Sequence, residues 1–230
     1  QPISTMRLPP LFISLLLSLA SGTLALGQGD QVALQFVTFP KTMDPIEVEL
    51  LGGQGKTTLL EIPSNELSVT YRVNARQSWA LGKTEADAEG NPKFTAFGKT
   101  KSLGVPRQLI LVIRKGKDPA KGVTLVPIDN RKARFGVESL LFVNASKMPI
   151  AGEVGSKKLA LLPGKSQIVK PEADRGENLC QATLYYRENK ETRPFLDTIW
   201  PLQPDARGLI FIYNDPRSSK IRLHTIRDFP

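Results

Sequence analysis

The stretch Arg107-Gln108-Leu109-Ile110-Leu111-Val112, followed by Asp118-Pro119 and then by Val123-Thr124-Leu125-Val126-Pro127-Ile128, is met twice in this chain. About 100 residues on comes Arg207-Gly208-Leu209-Ile210-Phe211-Ile212, then Asp215-Pro216, then Ile221-Arg222-Leu223-His224-Thr225-Ile226. Working outward, Phe94 precedes Arg107 at nearly the spacing that Phe195 has before Arg207, and Phe36-Val37 and Phe142-Val143 open the two halves. A period this long means that a whole domain is copied, since solenoid units are far shorter.

Each copy reads as β-structure. Val32-Ala33-Leu34-Gln35-Phe36 and Ile46-Glu47-Val48-Glu49-Leu50 alternate with period two, as a half-buried strand does. Thr58–Ile62, Leu67–Val73 and a short strand at Trp79 and Leu81 continue the pattern, before a polar excursion from Thr84 to Lys93. Leu109 to Ile113 is apolar on both faces, which calls for a central strand covered on two sides. Asp129 to Phe135 reads as a short, basic linker. The second copy places strands at Leu140–Val143, Glu153-Val154, Lys158–Leu162, Ser166–Val169, Ala182–Tyr186, Phe195–Ile199, Leu209–Tyr213 and Ile221–Ile226. Pro163-Gly164 supplies a turn. Seven or eight short strands per copy predict an all-β chain of two tandem antiparallel β-sandwiches, immunoglobulin-like or cupredoxin-like, from an internal duplication. The expected domains are 28–130 and 131–230.

Residues 1–27 are expected to be an export signal, with 1–5 an upstream read-through. Met6-Arg7 forms the positive start, Leu11 to Leu19 the apolar run, and Thr23-Leu24-Ala25 or Ala25-Leu26-Gly27 the cleavage site. The run is too short to cross a hydrocarbon layer of about 30 Å, so cleavage is the reading and membrane contact is expected to be peripheral. This predicts a periplasmic or secreted protein, and the single cysteine fits a bacterial envelope. Cys180 lies in an alternating strand and reads as a buried, inert thiol, so the cores hold without disulfides. Asn144-Ala145-Ser146 matches a glycosylation acceptor but abuts a core strand.

Formal charge is +9, and Arg114, Lys115, Lys117, Lys121, Arg131, Lys132 and Arg134 crowd one stretch against Asp118 and Asp129. The segment reads as a solvated hairpin tip and linker, with an anionic envelope polymer as the functional alternative. No aromatics interleave these charges for base stacking, so nucleic acid is not expected.

The chemistry-bearing motifs are thin. Gly52-Gly53-Gln54-Gly55-Lys56-Thr57 lacks the first glycine of a phosphate loop, where Leu50 stands, and Pro63 arrives too soon for a helix; a glycine-rich hairpin is expected. Glu85, Asp87, Glu89 and Gly90 have the opening spacing of a calcium loop, yet its twelfth position is Ala96, so a solvated connection is expected. Glu172, Asp174, Glu177 and Asn178 form a comparable loop in the second copy. One histidine, His224, and one cysteine cannot complete a usual zinc or blue-copper set, and no metal or cofactor is expected. Trp79, Trp200, Tyr185, Tyr186 and Tyr213 read as core aromatics before a sugar-binding face. Arg107 and Arg207 read as solvated arginines at strand starts, pairing with the aspartate of the following Asp-Pro turn. No catalytic, cofactor or metal residue is therefore assigned.

These readings predict an exported, non-enzymatic binding or scaffold protein of a bacterial envelope, with a protein or an anionic polymer as partner. In layout the chain also resembles periplasmic chaperones of pilus subunits: two sandwich domains, similar length, basic, signal-bearing and cysteine-poor. That resemblance implies donation of an edge strand to a subunit. Gln77-Ser78-Trp79 and Leu162-Pro163-Gly164 have a similar flavour, in a different order. A carboxylate-based hydrolase on a sandwich scaffold is the third reading, and it requires two facing acids in one pocket.

Overall fold

The computed structural model describes residues 31–172, 178–215 and 218–230. The expected signal, Asp174, Glu177 and Pro216 lie outside the described residues. The first half consists of β1 (Gln31–Phe39), β2 (Ile46–Leu51), β3 (Thr57–Ile62), β4 (Tyr71–Asn74), β5 (Ser78–Ala86), β6 (Pro92–Lys101), β7 (Arg107–Arg114) and β8 (Val123–Asp129). The second consists of β9 (Leu140–Asn144), β10 (Ile150–Val154), β11 (Lys157–Leu161), β12 (Ser166–Val169), β13 (Leu179–Glu188), β14 (Glu191–Pro201), β15 (Arg207–Asn214) and β16 (Ile221–Asp228). No helix among the described residues is long and apolar enough to cross a membrane.

The duplication is complete to the level of strand order. The first half pairs as β4-β1-β7-β8 and β3-β2-β5-β6, the second as β12-β9-β15-β16 and β11-β10-β13-β14. Each half is thus a four-on-four sandwich. All its ladders are antiparallel except β1 with β7 and β9 with β15, which run parallel. The first two strands of each half lie in opposite sheets, a wiring unlike the constant-type immunoglobulin order, which keeps them adjacent. Alternating polarity locates strands but carries no information on which neighbour each one takes.

Four sheets stack in sequence, and the reason is written in β7 and β15. Ile110 and Val112 point into the core of the first sandwich, with Phe36, Leu50, Trp79 and Leu81. Leu109 and Leu111 point the other way, into a core shared with Leu141, Val143, Leu209 and Phe211. On β15, Ile210 and Ile212 then join Phe142, Val154 and Leu184 in the second sandwich. The doubly apolar strands are therefore covered on one face by their own sandwich and on the other by the opposite half.

This shared layer is tightly matched. Phe39 lies flat on Phe211, with ring centroids 4.9 Å apart and planes 3° from parallel, and meets Tyr213 edge-on. The expected linker is part of the layer: Asp129 ends β8, Asn130 is buried, and Phe135 is completely buried in the shared core. Its basic residues mislead, because the aromatic among them decides where the segment sits.

Two other elements differ from the alternation reading. The polar excursion after Leu81 is a long hairpin of β5 and β6, whose exposed outer face explains its polar sequence. Leu67 to Thr70 is irregular, and only Tyr71–Asn74 forms strand, because Ser68 spends its hydroxyl and its N–H on the backbone of Phe36.

Each half holds one tryptophan, Trp79 and Trp200, so each can be followed separately. With a common core, denaturant transitions of Trp79→Phe (reporting the second half) and Trp200→Phe (reporting the first) are expected to coincide once normalised to each variant's own circular dichroism. Phe39→Ala is expected to cost about 3–5 kcal/mol and to shift both halves together. Two separate transitions would show that the halves fold independently.

Candidate functional site

Strand register lets the two halves be compared residue by residue, and the differences cluster at one end. Leu34 pairs with Gln108 as Leu140 pairs with Gly208. Trp79 pairs with Thr100 as Cys180 pairs with Trp200, and Leu81 pairs with Gly98 as Ala182 pairs with Thr198. Gln108, Trp79, Thr100 and Gly98 therefore correspond to Gly208, Cys180, Trp200 and Thr198.

In the first half Gln108 and Trp79 occupy this position, and a hollow of about 520 Å³ beside Trp79 is lined instead by the β2–β3 turn and β4. Trp79 is buried between the sheets and donates its indole N–H to Gln108 Oε1 at 3.1 Å. Gln108 is also fully buried; its Nε2 donates to Ser102 Oγ at 2.9 Å and to the Val105 carbonyl at 3.1 Å, while its Oε1 accepts the Leu103 N–H. The sandwich edge is shut as well. A Cβ on Gly98 would lie 2.5 Å from the Val123 carbonyl oxygen, so β6 approaches β8 only because residue 98 has no side chain.

In the second half the same end is open. Gly208 supplies no polar plug, and the Leu140 side chain leans over it, its Cδ2 2.8 Å from where a Cβ on residue 208 would lie, while Cys180 is fully buried in the sandwich core. Thr198 carries the Cβ that Gly98 lacks. The tryptophan has moved across to edge strand β14, where Trp200 stacks on Phe142 with centroids 6.0 Å apart and stays partly exposed. The result is a cleft of about 400 Å³ lined by Leu140, Trp200, Pro201, Leu202, Gly208 and Ile210, with Glu138, Gln203, Thr225 and Arg227 among its polar residues. Phe195, Leu196, Ile221 and Leu223 also remain only partly buried in this sandwich. Size and apolar lining suit a binding site with a few orienting polar groups.

One of those polar groups is incomplete. Gln203 Oε1 is buried with no hydrogen-bond partner, a state that costs free energy unless something donates to it. Glu138 is committed to Lys170 at 3.0 Å. It is the one acid among the described residues lining the cleft.

On the cleft wall, Arg207 departs from its expected role. It is 4% exposed and donates from Nε to Asp228 at 2.6 Å and from Nη1 to Asn130 Oδ1 and the Phe135 carbonyl, with its guanidinium 4.3 Å from the Phe135 ring centre. Burial pushes its pKa down, and Asp228 pulls it back up. It is a strut between linker and last strand, and it pairs with Asp228 where the repeat suggested Asp215. Arg107 is exposed, so the repeated arginines do not share a role; Asp118 instead caps the next turn by accepting from the Ala120 N–H.

The other sequence candidates are scattered. The basic stretch is split by β8: Arg114, Lys115, Lys117 and Lys121 sit at one end and Arg131, Lys132 and Arg134 at the other. Arg114 is buried on the carbonyls of Pro40 and Lys117, and Arg131 pairs with Asp129. Gly52–Thr57 is a β2–β3 hairpin turn, with Gln54 and Gly55 at positive φ. Asp87 accepts from the N–H groups of Glu89 and Asn91 in the β5–β6 turn, and Glu85 pairs with Lys83. Asn144 is buried and donates to the Met148 and Leu161 carbonyls. His224 lies between the halves, 3.2 Å from the Ser64 carbonyl and beside Phe39 and Phe211. Tyr185 and Tyr186 are half-buried on β13. Among the described residues no three histidine, cysteine or acidic side chains group to hold a metal.

Compared with models of known protein families and with curated proteins, the chain matches none. Its own repeat is therefore the informative comparison. Of the cleft residues, the sequence singles out Trp200 and Arg207; the signal for the others is the mismatch of Gln108 with Gly208 inside an otherwise matching repeat.

Asp228→Ala is expected to destabilise the protein by about 3 kcal/mol, the low end for breaking a buried pair, since Asp228 retains some solvent. Arg207→Met with Asp228→Leu is expected to recover most of that loss in urea denaturation.

Proposed function

We propose that the protein is a non-enzymatic binding module, exported to a bacterial envelope, whose ligand site is the open end of the second sandwich. The observation that carries this is the contrast between copies: Gln108, hydrogen-bonded to Trp79, holds in one half the position that Gly208 holds on the cleft wall of the other. The first sandwich and the shared core are then a rigid base that holds the cleft open. The export setting rests on the expected signal at residues 1–27.

The other readings draw less support. A strand donor of the pilus-chaperone kind would offer a groove between its domains, and here that face is filled by Phe39, Leu111, Phe211 and their neighbours. A paired-carboxylate hydrolase needs a second acid facing Glu138, which is already held by Lys170.

A neutral apolar dye, N-phenyl-1-naphthylamine, tests the site. In a Trp79→Phe background, Trp200 emission is expected to be quenched to saturation at one dye per chain. Gly208→Gln, which installs the plug of the first half, is expected to weaken binding about tenfold or more. Unchanged dye affinity in both Gly208→Gln and Thr225→Trp would sink the proposal.

A further inference from the structure

Charge at the mouth of the cleft narrows the ligand. Arg227 pairs across the ladder with Gly208, so it sits on the cleft side of β16; it is exposed and has no carboxylate in ion-pair contact among the described residues. Beside the cleft, the Glu138–Lys170 pair leads into a second hollow of about 600 Å³ lined by Lys132, Arg134 and Lys170, with Val137 and Pro230 as apolar neighbours. Among the described residues lining the two hollows, Lys132, Arg134, Lys170 and Arg227 thus face one acid, Glu138, while Asp228 is occupied by Arg207. The interior between Leu140, Trp200 and Ile210 is apolar.

Resting on the cleft reading above, we infer that the ligand is an anionic amphiphile: a single apolar chain bearing a carboxylate or phosphate head. The chain fills the space between Trp200, Leu140 and Ile210. The head meets Arg227 at the rim, where a guanidinium holds a planar anion through two parallel N–H donors. The arrangement discriminates by charge at the rim and by apolar fit inside.

The test is isothermal titration of the full chain with 3-hydroxydodecanoate, with dodecane-1,3-diol as neutral counterpart. The acid is expected to bind one per chain and about tenfold more tightly than the diol, the low end for a hydrogen bond to a charged group. Arg227→Gln is expected to erase that difference by lowering the affinity for the acid about tenfold; the residue is exposed on an edge strand, so folding is not at risk. Thr225→Trp is expected to block both compounds.

Equal affinity for acid and diol, or a preference that survives Arg227→Gln, would overturn the inference; continued dye binding would show that the cleft reading still stands. Failure of both the dye and the acid would remove the cleft reading too. Co-sedimentation with phosphatidylglycerol vesicles without saturable binding of the free acid would place the charge recognition at a bilayer and overturn the single-chain assignment.

Discussion

The apolar layer between the two inner sheets is the contact on which the molecule depends. Leu109, Leu111, Leu209 and Phe211 would be exposed on an isolated sandwich, and no disulfide compensates for that loss, since Cys180 is the sole cysteine. Burying each such side chain is worth about 1.5–3 kcal/mol, so a face of this size outweighs the cost of ordering the segment between the halves. Phe135 and Asn130 are drawn into the layer by the same force, and Arg207 follows because its guanidinium finds an acid, two oxygens and a ring there. What looks like a tether in sequence is a wedge in the fold.

A fixed base changes what the outer parts can tolerate. An open sandwich end exposes apolar side chains, and in a small free-standing domain that exposure competes directly with stability. Here the second sandwich is supported from behind by a complete neighbour, so it can leave Trp200, Leu223 and Phe195 half-covered. The first sandwich makes the opposite choice, closing its edge with Gly98 and its end with a tryptophan hydrogen-bonded to a glutamine.

Much of this fold was legible in sequence. Period-two alternation located most strands, and the doubly apolar run Leu109 to Ile113 correctly demanded cover on both faces. Alternation could not say that the second cover came from the other half, because a hydrophobic face carries no label for its partner. It also passed over β6, where an edge strand needs few apolar residues, and it extended β4 back through Ser68, whose hydroxyl competes for backbone groups. The site was less visible. A glycine on a cleft wall leaves little in the text, and Gly208 draws no notice until set against Gln108. Arg227 matters only through that cleft.

The meeting of equivalent sheets, β4-β1-β7-β8 against β12-β9-β15-β16, has the form of a two-fold dimer whose subunits present the same surface to each other. In a true homodimer every substitution occurs twice, so opening one end would open both and weaken the assembly on each side. With both partners on one polypeptide that obligation disappears. The molecule keeps the stability of a symmetric pair and acquires a single, oriented mouth, a distinction of front from back that identical subunits are unable to make.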